Sequence, residues 1–566
     1  MRTTSRLLRG RGPDTRLLAA SVVTGVLVGL VVAAFDSLTD RVVLRRVLDQ
    51  PLGVLMVAPF AGLVLARVLL RYVGWGTSGS TSDEYIRAFH DRNPRLRFRE
   101  MPGKLLAGVA TIGSGGALGL EGPSIYAGST IGLWVQRRLT SIFGREQARL
   151  LLTAGAAAGV AAVFRAPATG VIFALEAPYR DDVTPQALLP SLLASAASYA
   201  TFVTLVGTDP VIPFLGEGSI AVGAGGDVSV FAVDVTDLLG ALLLGLAAGL
   251  GGRGFAWLVR RAKQLTTTLS WWTRVVVAGA AMAGLTLVAH AAFAEPLDLG
   301  PGTEAMAWVV GDHGLGLVAL LFGVRLAATT ASILGGGVGG LFIPLAVQGT
   351  ILGQFVGELL GQTDTGLYPT LGLAAFLGAG YRAPIAAVMF VAESTGGVGA
   401  FVVPALVAAA ASQIVAGPSS VAQYQRAERL GHLEQRFTLP VTTALTTDVL
   451  TVPPDATVSE FVYVHALGRR QTIVPVVDEG RYVGLARLED IAAVPREEWE
   501  TTRVGDVAAT DVPTARPSWT LRDVLAAMER AHIDLLAVVD DNGDFIGVVV
   551  EDEILRLDQI LDETGA

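Results

Sequence analysis

The chain has 566 residues, of which 51% are hydrophobic and only 16% are charged, and its mean hydropathy is +0.53. These values lie outside the range of soluble globular proteins and indicate a membrane protein. The net charge is −9, and the sequence has no basic patch that would bind nucleic acid. The absence of cysteine excludes disulfides and thiolate metal sites. The six histidines are not spaced as metal ligands.

The N-terminus is basic, with five arginines in its first sixteen residues and none of the features of a cleaved signal peptide. We interpret residues 1–16 as cytosolic, because positive residues before a first crossing favour the cytoplasmic side. Apolar runs without acidic or basic residues follow at 17–35, 183–208 and 275–294, and each is near or above the length that crosses a bilayer. The sequence therefore predicts an all-α polytopic membrane domain over residues 17–425.

Two Gly- and Pro-rich breaks interrupt this domain at matching positions in its two halves. The first is Gly-Leu-Glu-Gly-Pro at 119–123, and the second is Gly-Leu-Phe-Ile-Pro at 340–344. A second echo, Phe-Arg-Ala-Pro at 164–167 and Tyr-Arg-Ala-Pro at 381–384, keeps the same spacing to a later Val, Phe and Glu in both copies. Paired breaks of this kind are typical of transporters built from inverted repeats, with the binding site at the breaks.

Each break predicts the start of a half-helix, because Pro123 and Pro344 suit a first helical turn. Such a start presents free N–H groups and the positive end of the helix dipole, which attract anions. Glu121 lies inside the first start, and its carboxylate would compete with a mobile anion when deprotonated and leave the path open when protonated or swung outward. The alternative is a glutamate that merely stabilises a helix start.

After about residue 437 the sequence changes to short β-rich runs, acidic turns and amphipathic helices, which predict a soluble α/β module. This tail contains a duplicated pattern. Val-Val-Asp-Glu-Gly at 476–480 and Val-Val-Asp-Asp-Asn-Gly at 538–543 each lead to a Gly and then to an acidic helix start. Each copy is predicted to be strand, tight turn, strand and helix.

The membrane breaks resemble the helix-start motifs of the CLC family of chloride channels and chloride/proton antiporters, and the tail resembles a pair of CBS domains. The resemblance implies broken helices in two inverted repeats, followed by a cytosolic α/β CBS pair. We assign residues 1–16 to the N-terminus, 17–425 to the membrane domain, 426–439 to a linker, 440–498 to the first CBS domain and 499–561 to the second.

The CLC resemblance implies a set of site residues around chloride as the permeant ion. Glu121 would be the gate, and the backbone at Gly122, Phe342 and Ile343 would help to hold the anion. The family's serine motif has its counterpart at residues 77–81, where Ser78 would donate its hydroxyl to the anion; the alternative is an ordinary Ser/Gly-rich connection. The tyrosine that the family carries near its last membrane helix would be Tyr424, unless the inner gate lacks a phenol.

Many antiporters of this family carry a second, internal carboxylate that couples transport to protons, although some lack it. The chain has Glu176-Ala177 there, and because Ala177 cannot carry a proton, the resemblance favours passive, channel-like conduction; a chloride/proton antiporter is the alternative. From another class, a cation or solute carrier could use Glu121, Glu176 and Glu393 as a relay. A membrane sensor whose CBS pair is the working part is the third reading.

The CBS resemblance raises the question of adenine nucleotide binding. The family's nucleotide pattern has Ser or Thr and then Asp after the strand Gly, and this chain has Arg487 and Asp490 after Gly484. Only Asp490 of this pattern remains as a nucleotide-binding residue, and a purely structural dimerisation module is the alternative.

The resemblance also implies the setting of the protein. It would be a homodimer in a lipid bilayer, with one pathway in each subunit, no cofactor and no enzymatic activity. The membrane would be a bacterial-type plasma membrane, with the N-terminus and the CBS pair in the cytoplasm.

Overall fold

The computed structural model describes residues 15–91, 94–139, 145–209, 211–212, 235–362, 366–395, 399–427, 439–531, 533–554 and 556–557. The chain divides into two compact units, Met1–Arg429 and Leu430–Ala566. Most of the predicted N-terminal segment, most of the linker and the end of the second CBS domain lie outside the described residues.

Helices make up the first unit, and its first half contains eight of them among the described residues. The first continues through a π-helical segment, Ser37–Leu44, and a last turn, Arg45–Leu48. The helices are α1 Thr15–Asp36, α2 Leu52–Tyr72, α3 Ser82–His90, α4 Met101–Gly113, α5 Glu121–Arg138, α6 Arg145–Phe164, α7 Pro167–Glu176 and α8 Leu188–Val206.

The second half of this unit repeats the pattern of long helices and short broken ones. Its helices are α9 Val235–Thr268, α10 Trp271–Phe293, α11 Thr303–Val309, α12 Leu315–Leu334, α13 Phe342–Leu359, α14 Leu367–Tyr381, α15 Pro384–Ser394 and α16 Gly399–Ala416. Within the described residues, eight helical segments are long and apolar enough to cross a membrane. The predicted helical membrane domain is confirmed.

The predicted repeats correspond to matching helices. The helices α5 and α13 are both 18 residues long and begin at the two breaks, while α7 and α15 each begin with the proline of the Arg-Ala-Pro echo. A β-carbon on Gly128 would overlap the backbone of Gly155 in α6, and one on Gly349 would overlap Gly372 in α14. Glycine at these positions therefore allows each broken helix to pack closely on the helix that follows it.

The second unit has the predicted duplicated architecture. Its helices are α17 Val458–Glu460, which continues as a π-helical segment Phe461–Gly468, α18 Leu488–Ile491, α19 Val504–Val507 and α20 Leu521–Ala531. One antiparallel hairpin pairs β1 Ile473–Asp478 with β2 Arg481–Arg487, and the other pairs β3 Leu535–Val539 with β4 Phe545–Val550. Both hairpins carry a register shift at the same place, between Val476 and Val477 and between Val538 and Val539.

Candidate functional site

The starts of α5 and α13 converge inside the first unit. The amide of Gly119 donates to the carbonyl of Gly340 at 3.0 Å, and the amide of Gly340 donates back to the carbonyl of Gly119 at 2.7 Å. These two hydrogen bonds form a short antiparallel bridge. The two breaks, 221 residues apart in the chain, therefore meet as the repeat pattern predicts.

Glu121 bridges the two starts with its side chain. It is fully buried at the first turn of α5, and its Oε1 accepts a hydrogen bond from the amide of Phe342 at 2.5 Å. The amide of Ile343 also faces this carboxylate, and Oε2 has no hydrogen-bond partner among the described residues. A carboxyl oxygen thus occupies the N-terminal end of α13, where the helix dipole and free amides favour an anion.

Two glycines make room for this carboxylate. A β-carbon added to Gly119 or Gly340 would overlap the carboxyl group of Glu121. Gly122 is also buried, and a β-carbon there would contact Thr81 and the carbonyl of Gly339. The absence of side chains at these positions lets the two backbones approach the same small volume.

Aromatic rings surround Phe342 just beyond this carboxylate. Phe164 lies 4.2 Å from its ring centroid, Phe390 lies 5.2 Å away and Phe173 lies 5.5 Å away. Tyr381 completes the cluster at 6.4 Å. The cluster joins both copies of the second echo, since Phe164 corresponds to Tyr381 and Phe173 corresponds to Phe390.

A cavity of about 420 Å³ opens beside the converging helix starts. Its wall includes Gly340 and Leu341 from the second start and the phenol-bearing Tyr381. Three basic side chains also line it, from Arg67, Lys263 and Arg274. Lys263 is paired with Asp83 at 2.5 Å, and the remaining positive charge makes the cavity attractive to anions.

The predicted serine and tyrosine lie in different surroundings. Ser78 is in the cavity wall, where its hydroxyl donates to Oε1 of Glu84 at 2.8 Å. Tyr424 is 54% exposed, has a left-handed backbone with φ of 67° and is not among the described residues that line the cavity. The chain around it contributes Ala422 and Gln423 to the wall instead.

Tyr381 is an aromatic residue of the cavity wall that the sequence interpretation did not assign to the site. Its side chain is almost fully buried, and its hydroxyl faces the amide of Leu341 and the side chain of Ser82. The Tyr381 ring lies 5.3 Å from Phe173. The sequence did contain a signal, because the residue before Arg-Ala-Pro is Phe164 in the first copy and Tyr381, which has a hydroxyl, in the second.

Two further carboxylates of the repeats each cap a helix of the other half. Glu393 accepts hydrogen bonds from the amides of Ala168 and Thr169 at the start of α7, at 2.9 and 2.7 Å. Glu176 accepts from the amides of Ile385 and Ala386 at the start of α15, at 3.2 and 2.9 Å. Both carboxylates therefore satisfy amides that a helix start leaves unpaired.

The two arginines of the echoes bind backbone carbonyls. Arg165 donates to the carbonyl of Asp209, and Arg382 donates to the carbonyl of Gly417 and pairs with Asp181. Both have left-handed backbones, with φ of 53° and 54°. These contacts favour a structural role for both arginines over attraction of anions into a vestibule.

In the second unit, Asp490 forms a bidentate ion pair with Arg487, at 2.6 and 3.0 Å. The hydrogen bond that Arg487 donates to Asp490 raises the pKa of the guanidinium above its ordinary value. The carboxylate that the CBS resemblance assigns to nucleotide binding is thus already engaged within its own chain. Among the described residues no cluster of His, Cys, Asp and Glu could hold a metal ion.

Comparisons with known proteins agree with both units. A family model described as "Voltage gated chloride channel" matches residues 61–417, and the CBS domain model matches residues 441–497 and 504–559. The H(+)/Cl(-) exchange transporter ClcA of Cronobacter sakazakii (strain ATCC BAA-894) is 31% identical over 411 residues, which are 69% of this chain and 84% of that protein.

Solved structures share the fold at lower sequence identity. A slow cyanobacterial Cl-/H+ antiporter matches with a TM-score of 0.60 and 22% identity, over 71% of this chain and 96% of its own. A CLC-type fluoride/proton antiporter matches with a TM-score of 0.58 and 21% identity, over 73% of this chain and 98% of its own. A eukaryotic CLC transporter matches with 0.58 and 18%, over 95% of this chain and 98% of its own.

Proposed function

The chain belongs to the voltage-gated chloride channel (CLC) family with a C-terminal CBS pair, and from this premise we propose that it moves chloride across the membrane through the converging starts of α5 and α13. The observation that carries the proposal is the 2.5 Å hydrogen bond from the amide of Phe342 to Oε1 of Glu121. A carboxylate oxygen in that place stands in for a negative ion that the same amides would bind.

Glu121 acts as the gate in this proposal. Its carboxylate and a chloride ion compete for the amides of Phe342 and Ile343, so the anion enters when the side chain leaves or is neutralised by a proton. Gly122 allows the backbone of α5 to lie close to the second start, since a β-carbon there would overlap Thr81 and the carbonyl of Gly339.

On the cavity side, we assign the inner constriction to Tyr381 in place of Tyr424. Tyr381 and Leu341 both line the cavity beside the second helix start, and the proposed path of an anion from the cavity to the amide of Phe342 runs past them. The phenol can donate a hydrogen bond to an anion at this point. Ser78 is the second hydroxyl in the wall, and it can serve the anion only after giving up its hydrogen bond to Glu84.

The mode of transport is proposed to be passive conduction. The residue after the capping Glu176 is Ala177, which is buried and has no group that titrates. Chloride/proton exchange is the second candidate, and it is favoured by the similarity to the exchange transporter ClcA. A cation relay has less support, because Glu176 and Glu393 are both engaged in capping helix amides.

The setting of the protein follows the family. We propose a homodimer in the plasma membrane of a bacterial-type cell, with a pathway in each subunit and with the N-terminus and CBS pair in the cytoplasm. The CBS pair is proposed to be structural, because Arg487 occupies both oxygens of Asp490.

Chloride flux from proteoliposomes, recorded together with pH, tests these proposals. Chloride efflux without proton movement supports passive conduction, and proton movement against chloride in a fixed ratio supports exchange. Liposomes that contain ClcA serve as the positive control for chloride release. If they release chloride and proteoliposomes with this protein do not, anion transport is contradicted and a carrier of another class is favoured.

A further inference from the structure

The helix α9 presents a long outer face that no other described part of the chain covers. It has 34 residues and so extends about 51 Å, which is well beyond the roughly 30 Å hydrocarbon core. Leu243, Leu250 and Trp257 recur on it at seven-residue intervals and are 54%, 64% and 59% exposed. In an integral membrane protein, an exposed apolar stripe of this kind is suited to contact lipid.

The character of this face changes at its C-terminal part. Arg253 and Arg260 lie on the same side of α9 as Trp257, and together with Leu250, Gly254 and Ser419 they line a shallow groove. No acidic residue lines the groove within the described part of the chain. A tryptophan beside two arginines is the composition of the membrane–water interface, where indole and guanidinium groups lie at headgroup level.

The groove has both charge and space for a headgroup. Arg253 is exposed, and no hydrogen bond or ion pair of its guanidinium occurs within the described residues. Gly254 has open space where a side chain would project. Arg260 donates to the carbonyl of Ser420 at 2.9 Å through one nitrogen, which leaves its other donors available.

We propose that this groove binds the phosphate of an anionic phospholipid, with Arg253 as its principal partner and Arg260 as the second cation. The two arginines are two turns apart, about 10 Å along the helix axis, which both long side chains can span toward one headgroup. A planar guanidinium matches two phosphate oxygens at once. Trp257 would lie against the glycerol region of the same lipid.

The groove lies next to the wall of the anion cavity. The carbonyl of Ser420 that Arg260 holds belongs to the segment whose next residues, Val421 and Ala422, line that cavity. Val421 is also anchored by a hydrogen bond from its amide to the carbonyl of Gly380 at 2.8 Å. A bound phosphate therefore adds negative charge and order beside the inner mouth of the proposed path.

Fluorescence quenching by brominated lipids tests the proposal without any measurement of transport. The full-length protein is reconstituted in phosphatidylcholine vesicles that contain either brominated phosphatidylglycerol or brominated phosphatidylcholine. The fluorescence of Trp257 is obtained by subtracting the emission of a Trp257→Phe variant from that of the wild-type protein. We expect stronger quenching by the anionic lipid. The preference should fall about fivefold in Arg253→Gln, which corresponds to one interfacial positive charge.

The matched control is Arg261→Gln, since Arg261 neighbours Arg260 but lies outside the groove. This variant should retain the preference. Equal quenching by both brominated lipids would overturn the proposal, because ordinary annular lipid would then fill the groove. An undiminished preference in Arg253→Gln would overturn it as well, since the guanidinium of Arg253 would then not bind the headgroup. Arg253 is substituted instead of Arg260 because, within the described residues, only Arg260 of the two donates a hydrogen bond to another part of the chain.

Discussion

Replacing Glu121 with Gln should strengthen chloride binding by about tenfold. In the wild-type protein an entering chloride must displace a carboxylate that accepts the Phe342 amide at 2.5 Å. A hydrogen bond to a charged acceptor is worth about 1.5–3 kcal/mol and one to a neutral acceptor about 0.5–1.5 kcal/mol. The variant keeps a neutral acceptor, so the competitor weakens by about 1–1.5 kcal/mol, which is close to one order of magnitude in affinity.

The measurement is isothermal titration of chloride into the purified protein at two pH values. Wild-type affinity should rise as the pH falls, since protonation removes the charge of the competitor, while the affinity of Glu121→Gln should not depend on pH. Glu304→Gln is the control, because Glu304 is an exposed carboxylate of the same unit. Identical affinity and pH dependence in wild type and Glu121→Gln would refute the competition between this side chain and the anion.

Three further outcomes are expected. Glu393→Ala should lower the stability of the membrane unit by about 2–4 kcal/mol, since two partly buried amides lose their carboxylate partner. An unchanged denaturation midpoint combined with lost proton flux would favour a relay instead. Tyr381→Phe, which removes only the hydroxyl, should weaken chloride binding about fivefold to tenfold by calorimetry. Tyr424→Phe should leave chloride binding unchanged. If Tyr424→Phe weakens binding and Tyr381→Phe does not, the inner constriction lies at Tyr424. ATP should not raise the melting temperature of the full-length protein, because Asp490 is occupied by Arg487; a rise that Asp490→Ala removes would establish nucleotide binding.

The convergence of the two breaks could be predicted from the sequence. The offsets between the copies are preserved over 119–123 and 340–344, and prolines at fixed places in each copy mark where a helix can begin. That pattern also led to Glu121 as the group that would compete for the anion. In the structure Glu121 reaches the amide of the matching residue, Phe342, and its competition with an anion stays a prediction.

The position of Tyr381 and the partners of Ser78 and Asp490 could not be predicted in the same way. A hydroxyl distinguishes Tyr381 from Phe164 in the repeated motif, but the place of Tyr381 in the cavity wall depends on tertiary packing. Tyr424 was expected there because it follows the last membrane helix. Ser78 and Asp490 each have an alternative partner within six residues of the chain, Glu84 and Arg487. Only side-chain geometry decides between a ligand and such a neighbour.

The exchange of caps between α7 and α15 has a consequence for how the membrane unit can be assembled. Each half lacks the carboxylate that completes its own short helix and obtains it from the other. A half synthesised alone would leave bare amides in hydrocarbon, where water cannot replace the missing acceptor. We therefore expect each half to be degraded when it is produced alone. Co-expression of the two halves should rescue both, because each half needs the other in order to assemble.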